Sequence, residues 1–445
     1  MTLSLTCALL LAAAPATKTA GAFPFPTKVS TLKNGLTVVR VPFVSPGLIS
    51  VYTVVRVGSR NEVEAGHTGF AHFFEHMMFR GTRRFPGNAR TETMAKLGFA
   101  ENAFTSDDVT VYHLDGPASG LDTLLDLEAD RFLNLEYAEP DFQTEAGAIR
   151  GEYQKNAANP SLRIEEATLG AAFTTHPYRH TTLGTFEDIL EMPKKFEYSK
   201  TFFKRWYTPD NTQLIIVGDF DDAKVMAQVE KSYGPWKGTV AKLVIPLEPP
   251  QKEARAVKVA WPSPTLPRAG FAWHSPAASP RTTDAAVQEV LSAYLVGQTS
   301  PLYRALVLDQ QLVERLNAFY EHHRDPSLFG IDLRLKAETN RDAASTALLA
   351  AIKEVADGKV DAKRLEDIKS HLKNRMLMNL ETPGQVAELL ALHLGVFGTP
   401  DAVDALYANV AKVSAKDLSA FAKKHLVDTN RTTMTFTVEV KGATK

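Results

Sequence analysis

Cysteine is all but missing: Cys7 is the only one in 445 residues, so no internal disulfide framework holds this chain together. An excess of basic charge is missing too. The 50 Lys and Arg are matched by 51 Asp and Glu, for a net charge of −1, and nucleic-acid binding has no electrostatic support. No stretch reaches the ~18 apolar residues of a membrane helix. The apolar run Leu3–Ala14 is too short to span a bilayer, and Ala20-Gly21-Ala22 after it offers a small-residue cleavage site. A secretory signal peptide is expected over residues 1–22, with export to a bacterial periplasm. Only Met1 and Thr2 precede the run, so the positive start of such a signal is absent. The alternative is a cytoplasmic chain with a frayed apolar N-terminus.

What is present is concentrated in His72-Phe73-Phe74-Glu75-His76. Residues four apart on a helix share a face, so His72 and His76 can hold one metal ion between them, with Glu75 beside them as a base toward water. This is the H-x-x-E-H order, the reverse of H-E-x-x-H. Thr68 is expected to cap the helix and Gly81 to stop it. The residues between are mostly apolar, and a helix apolar nearly all round is usually buried. Burying two His and a Glu costs free energy unless something satisfies them, and a metal would.

Catalytic zinc typically takes three protein ligands. The stretch Glu139–Tyr153 reads as a helix opened by Pro140, with Glu145 and Glu152 seven apart on one face. One of the two could bind metal while the other braces the site. On spacing alone, two surface carboxylates of an amphipathic helix are the better reading.

With these motifs the chain resembles the pitrilysin/insulinase family of inverted zinc metallopeptidases, closest to its mitochondrial-processing-peptidase-like branch, over most of residues 25–440. Gly58-Ser59-Arg60-Asn61-Glu62 and Gly69–Thr82 look like the family's signature segment. The resemblance implies one Zn2+ per chain, held by His72, His76 and Glu152, the Glu lying about 76 residues beyond the second His. It implies Glu75 as general base and Glu145 as a supporting carboxylate. Asn102-Ala103-Phe104-Thr105-Ser106 looks like the family's edge strand, whose backbone pairs with an extended peptide; Asn102, Ala103 and Phe104 are the substrate-binding candidates. The implied activity is a zinc-dependent endopeptidase acting on short or unfolded peptides. The alternative is a non-catalytic scaffold subunit, as some family members are, although such members generally have damaged zinc motifs.

One departure matters. Family members often supply an Arg and a Tyr from the second half to stabilise the oxyanion. Aligned on Leu302-Tyr303-Arg304-Ala305-Leu306, those positions hold Val307 and Glu314, and neither can donate as required. A homologous partner subunit lacking the zinc motif, in a heterodimer, would supply them. The competing alignment uses Arg304 or Arg315 with Tyr303 or Tyr320.

The fold expected is α+β: two homologous domains, each a mainly antiparallel sheet packed with helices. The zinc-binding domain covers 23–240, a Pro-rich linker 241–256, and a similar domain without a metal motif 257–445. Asn34-Gly35 marks a hairpin. In the second half, helices are expected near 282–296 and 301–313, and strands near 315–323 and 328–336. The pair His322-His323 falls on adjacent strand positions that face opposite ways, so the two do not share an ion.

Overall fold

The computed structural model describes residues 21–439, so nearly all of the expected leader at 1–22 lies outside the described residues. Six strands form the first sheet: β1 (Lys28–Thr31), β2 (Thr37–Pro42), β3 (Leu48–Val55), β4 (Ala100–Thr105), β5 (Thr110–Pro117) and β6 (Thr212–Gly218). Their spatial order is β1-β2-β6-β3-β5-β4, antiparallel throughout except where β2 runs parallel to β6. Gly35, with φ of 97°, turns the chain between β1 and β2 in a conformation that costs glycine little.

The second sheet holds β7 (Arg255–Trp261), β8 (Arg268–Ser275), β9 (Val313–Tyr320), β10 (Ser327–Leu335) and β11 (Arg431–Val438), in the order β7-β11-β8-β10-β9. Again one pair is parallel, β7 with β11, and the rest are antiparallel. Position by position this repeats β2-β6-β3-β5-β4. The chain is therefore an α+β protein of two like halves, and β4 and β9 are the matching edge strands.

One face of each sheet packs on helices of its own half. In the first half these include α1 (Phe70–Met77), α2 (Ala89–Leu97), α3 (Leu121–Asn134) and α4 (Glu139–Ala157). The opposite faces are covered by an exchange. The helix Pro383–Phe397 of the second half lays Val386, Leu390 and Leu394 on Val39, Val54, Ile215 and Val217 of the first sheet. Conversely, α5 (Pro160–Ala172) of the first half lies against β7 and β11. Arg255 and His274 of the second sheet hydrogen-bond the last carbonyls of α5, and Arg56 of the first half caps Gly395 O at 2.9 Å. A cation at a helix C-terminus is favoured by the exposed carbonyls there.

Two elements depart from expectation. The helix expected over 301–313 is a single turn, Pro301–Tyr303, followed by a wide-turned segment Arg304–Asp309. Gln311, at φ of 51°, then reverses the chain into β9. α2 and α5 have no counterpart among the expected elements. Among the described residues no single helix is long and apolar enough to cross a membrane.

Candidate metal centre

The site begins with how α1 starts. Gly69 opens the helix at φ of 89°, and Glu62 serves as its cap: Oε2 accepts the Gly69 amide and Oε1 the Ala71 amide, both at 2.8 Å. Burial pushes Glu62 up to about 8, against the pull of those amides. Thr68, the expected cap, instead gives its hydroxyl to Asp188 at 2.7 Å. Phe70, Phe73, Phe74 and Met77 sink into the core with Phe142, Phe202 and Tyr207. That fixes the roll of the helix and turns His72, Glu75 and His76 the other way.

These three present ligand atoms within 4.8 Å of one another. α4 crosses beside them and brings the two carboxylates expected from its spacing. Glu152 Oε2 lies 3.6 Å from His72 Nε2 and 3.4 Å from His76 Nε2. Both separations are long for hydrogen bonds. They match the edge of a tetrahedron with arms of about 2.0–2.1 Å, which is roughly 3.3 Å. The donor set of two imidazoles and a carboxylate therefore fits a zinc ion. Glu145, buried behind, receives His76 Nδ1–H at 2.9 Å and pairs with Arg80. A carboxylate there fixes the tautomer that leaves Nε2 free to ligate.

The charges agree. Burial, with His76 nearby, lowers His72 to about 4 and keeps it neutral, the ligating form. Burial opposes charge on His76 as well, but Glu145 and Glu152 outweigh it and raise it to about 9, so an ion bound there displaces a proton from Nε2. Once that proton has left, Glu75, Glu145 and Glu152 against Arg80 leave two surplus negative charges, which a dication balances. Burial raises Glu75, whose Oε2 accepts the Thr105 hydroxyl at 2.6 Å.

A cavity of about 830 Å³ opens onto Glu75 and His76, walled by Phe79, Tyr137, Pro86 and Asn102. β4 is the edge of its sheet. Ser106 N–H donates to Val109 O, and in that register Asn102 and Phe104 exchange their hydrogen bonds with β5. The N–H and C=O of Ala103 turn outward, while its side chain is buried. Arg80 and Thr105 touch the site without having been singled out from the sequence. Arg80 carried a usable signal, since it follows His76 by four residues, although it lies in the turn just past the end of α1.

The positions considered for oxyanion donors lie elsewhere. Glu314 sits at the start of β9, 3.5 Å from Arg334, and Arg304 pairs with Asp309. Arg315 and Tyr320 line a separate cavity between the halves. β9 ends at Tyr320, so His322 and His323 lie just past the strand expected over 315–323; they nonetheless point apart, toward Glu289 at 3.6 Å and Asp108 at 3.2 Å.

Comparison with known proteins gives a consistent picture. Residues 48–186 match the family described as insulinase (peptidase family M16), and residues 196–372 match the peptidase M16 inactive domain. A zinc protease of Helicobacter pylori, PqqE, is 28% identical over 411 residues, 91% of each chain. A probable mitochondrial-processing peptidase subunit beta of Arabidopsis thaliana is 26% identical, over 90% of this chain and 76% of its own. Among solved structures, a protease from Helicobacter pylori superposes with a TM-score of 0.86 at 27% identity, covering 93% of this chain and 99% of that one.

Proposed function

The chain belongs to the M16 (insulinase) family of peptidases, and on that premise we propose that it is a zinc-dependent endopeptidase subunit that cleaves short or unfolded peptides. The observation that carries this reading is the convergence of His72 Nε2 and His76 Nε2 on one oxygen of Glu152. His72, His76 and Glu152 would hold the ion. Zinc supplies Lewis acidity there, lowering the pKa of water and polarising the scissile carbonyl. Glu75 takes the proton from the attacking water and delivers it to the leaving amine. Glu145 holds His76 through Nδ1. The outward N–H and C=O of Ala103 pair with an extended peptide, which asks little of its sequence.

A homologous partner is part of the proposal. Among the described residues the cavity at Glu75 and His76 is bordered only by residues between 75 and 145. None of Arg304, Arg315, Tyr303 and Tyr320 borders it. An Arg and a Tyr from a second subunit closing over the cavity would supply the missing oxyanion donors, worth about 10²–10³ in rate.

Two variants test the site. Glu75→Gln is expected to retain zinc and lose peptidase activity, and persistent turnover would refute the base assignment. Glu152→Gln is expected to lose zinc by elemental analysis; full metal content would remove it from the ligand set. For the partner, the isolated chain is expected to be 10²–10³-fold less active than the complex recovered by native co-purification. Full activity of the lone chain would overturn that part alone.

A further inference from the structure

Thr105, the last residue of β4, joins the free edge of the first sheet to the candidate base. Its hydroxyl donates to Glu75 Oε2 at 2.6 Å, and its amide faces the same carboxylate. Among the described residues no other side chain hydrogen-bonds Glu75. One carboxylate oxygen is thus committed to Thr105, and Oε1 is left for the proton.

The strand register adds a second constraint. Thr105 stands opposite Thr110, and Ala103 opposite Tyr112. Because Ser106 bonds to Val109, these alternate residues turn their amides and carbonyls away from β5, toward the free edge. Ala103 and Thr105 are therefore successive outward slots, about 7 Å apart along the strand. A peptide pairing at Ala103 meets the carboxylate of Glu75 at the next slot. Strand pairing stops there, and the adjoining peptide bond is presented to the base.

We propose that Thr105 is a positioning residue: its hydroxyl fixes the Glu75 carboxylate at the end of the edge on which the peptide lies, so that strand pairing and proton transfer share one register. This rests on the reading of Glu75 as the base. Thr105 does not touch the reacting atoms; it acts through Glu75.

The test uses the enzyme in its active assembly with an unstructured fluorogenic peptide. Thr105→Val keeps the shape and removes the hydroxyl. It is expected to lower kcat about 10–100-fold with KM within about twofold of wild type. Zinc affinity, read by chelator competition without reference to activity, is expected to stay unchanged. Thr105→Ser restores the donor and is expected to recover most of kcat. Thr105→Ala takes the place of the valine variant if that one fails to fold, with the same expectation. Wild-type kcat in Thr105→Val, a change confined to KM, or a serine variant as impaired as valine would each overturn the positioning role. If instead Glu75→Gln still turns over peptide, the base assignment fails and this inference fails with it.

Discussion

Glu62 lies ten residues from the first imidazole, yet it sets where both imidazoles point. Its two oxygens hold the first amides of α1, and its side chain is fully buried. Glu62→Gln puts an NH2 group against one of those amides and leaves a buried donor unpaired. A loss of about 1–3 kcal/mol in urea-unfolding stability is expected, together with weaker zinc binding. An unchanged unfolding midpoint would show that the cap is dispensable. Arg80 makes a second residue-scale case. It pairs with Glu145, which holds His76 Nδ1. Arg80→Met is expected to weaken zinc affinity about 10-fold, measured by chelator competition, and an affinity equal to wild type would detach Arg80 from the site. At this scale the sequence was informative wherever spacing along one helix decides geometry. His72, Glu75 and His76 share a face by their separation alone, and so do Glu145 and Glu152. Thr105 and Glu62 reach the site across turns and strands, and nothing in their spacing announces that.

Elements followed the same logic. Strands rich in β-branched residues, such as β3 and β6, were legible from that composition and from partner strands within one half, although the helix Pro383–Phe397 of the other half covers one of their two buried faces. α2 buries only Arg90 and Met94, and α5 only Leu162 and Ala172, so neither carries the apolar stripe that marks a helix in sequence. α5 needs no wide stripe because Arg255 and His274 of the other half hold its end. The reciprocal helix Pro383–Phe397 depends on close approach. A Cβ at Gly395 would come within 2.4 Å of Val109 Cγ1 and 3.3 Å of Val54 Cγ1. Gly395→Val is therefore expected to cost about 1–3 kcal/mol, seen as a lower urea midpoint. A variant as stable as wild type would mean that the helix shifts off the first sheet without penalty.

Across the whole molecule, a polar seam ties the two halves together, and it makes stability depend on pH. Asp108 of the first half accepts the Tyr178 hydroxyl at 2.9 Å, His323 Nδ1–H at 3.2 Å and the Arg324 amide at 3.1 Å. Asp325 of the second half meets Arg60 at 2.5 Å and His176 at 3.0 Å. Burial works against charge on His323, but the hydrogen bond to Asp108, with Asp107 and Glu321 close by, raises it to about 9. A His whose pKa rises on folding keeps a proton that the unfolded chain releases near 6.5. Its contribution is therefore complete below about pH 6.5 and fades as pH climbs through 9, by an amount on the order of 3 kcal/mol. Asp325 runs the other way. Burial opposes its charge, but His176 and Arg60 hold its pKa well below the usual carboxylate range, so its share is present above about pH 4 and lost on acidification. Urea unfolding of wild type and His323→Gln at pH 6 and pH 9.5 isolates the first of these. The stability gap between them should be wide at pH 6 and narrow at pH 9.5. Parallel behaviour of the two proteins would mean that the seam stays closed without the His323 proton, and that the exchanged helices alone keep the halves in register.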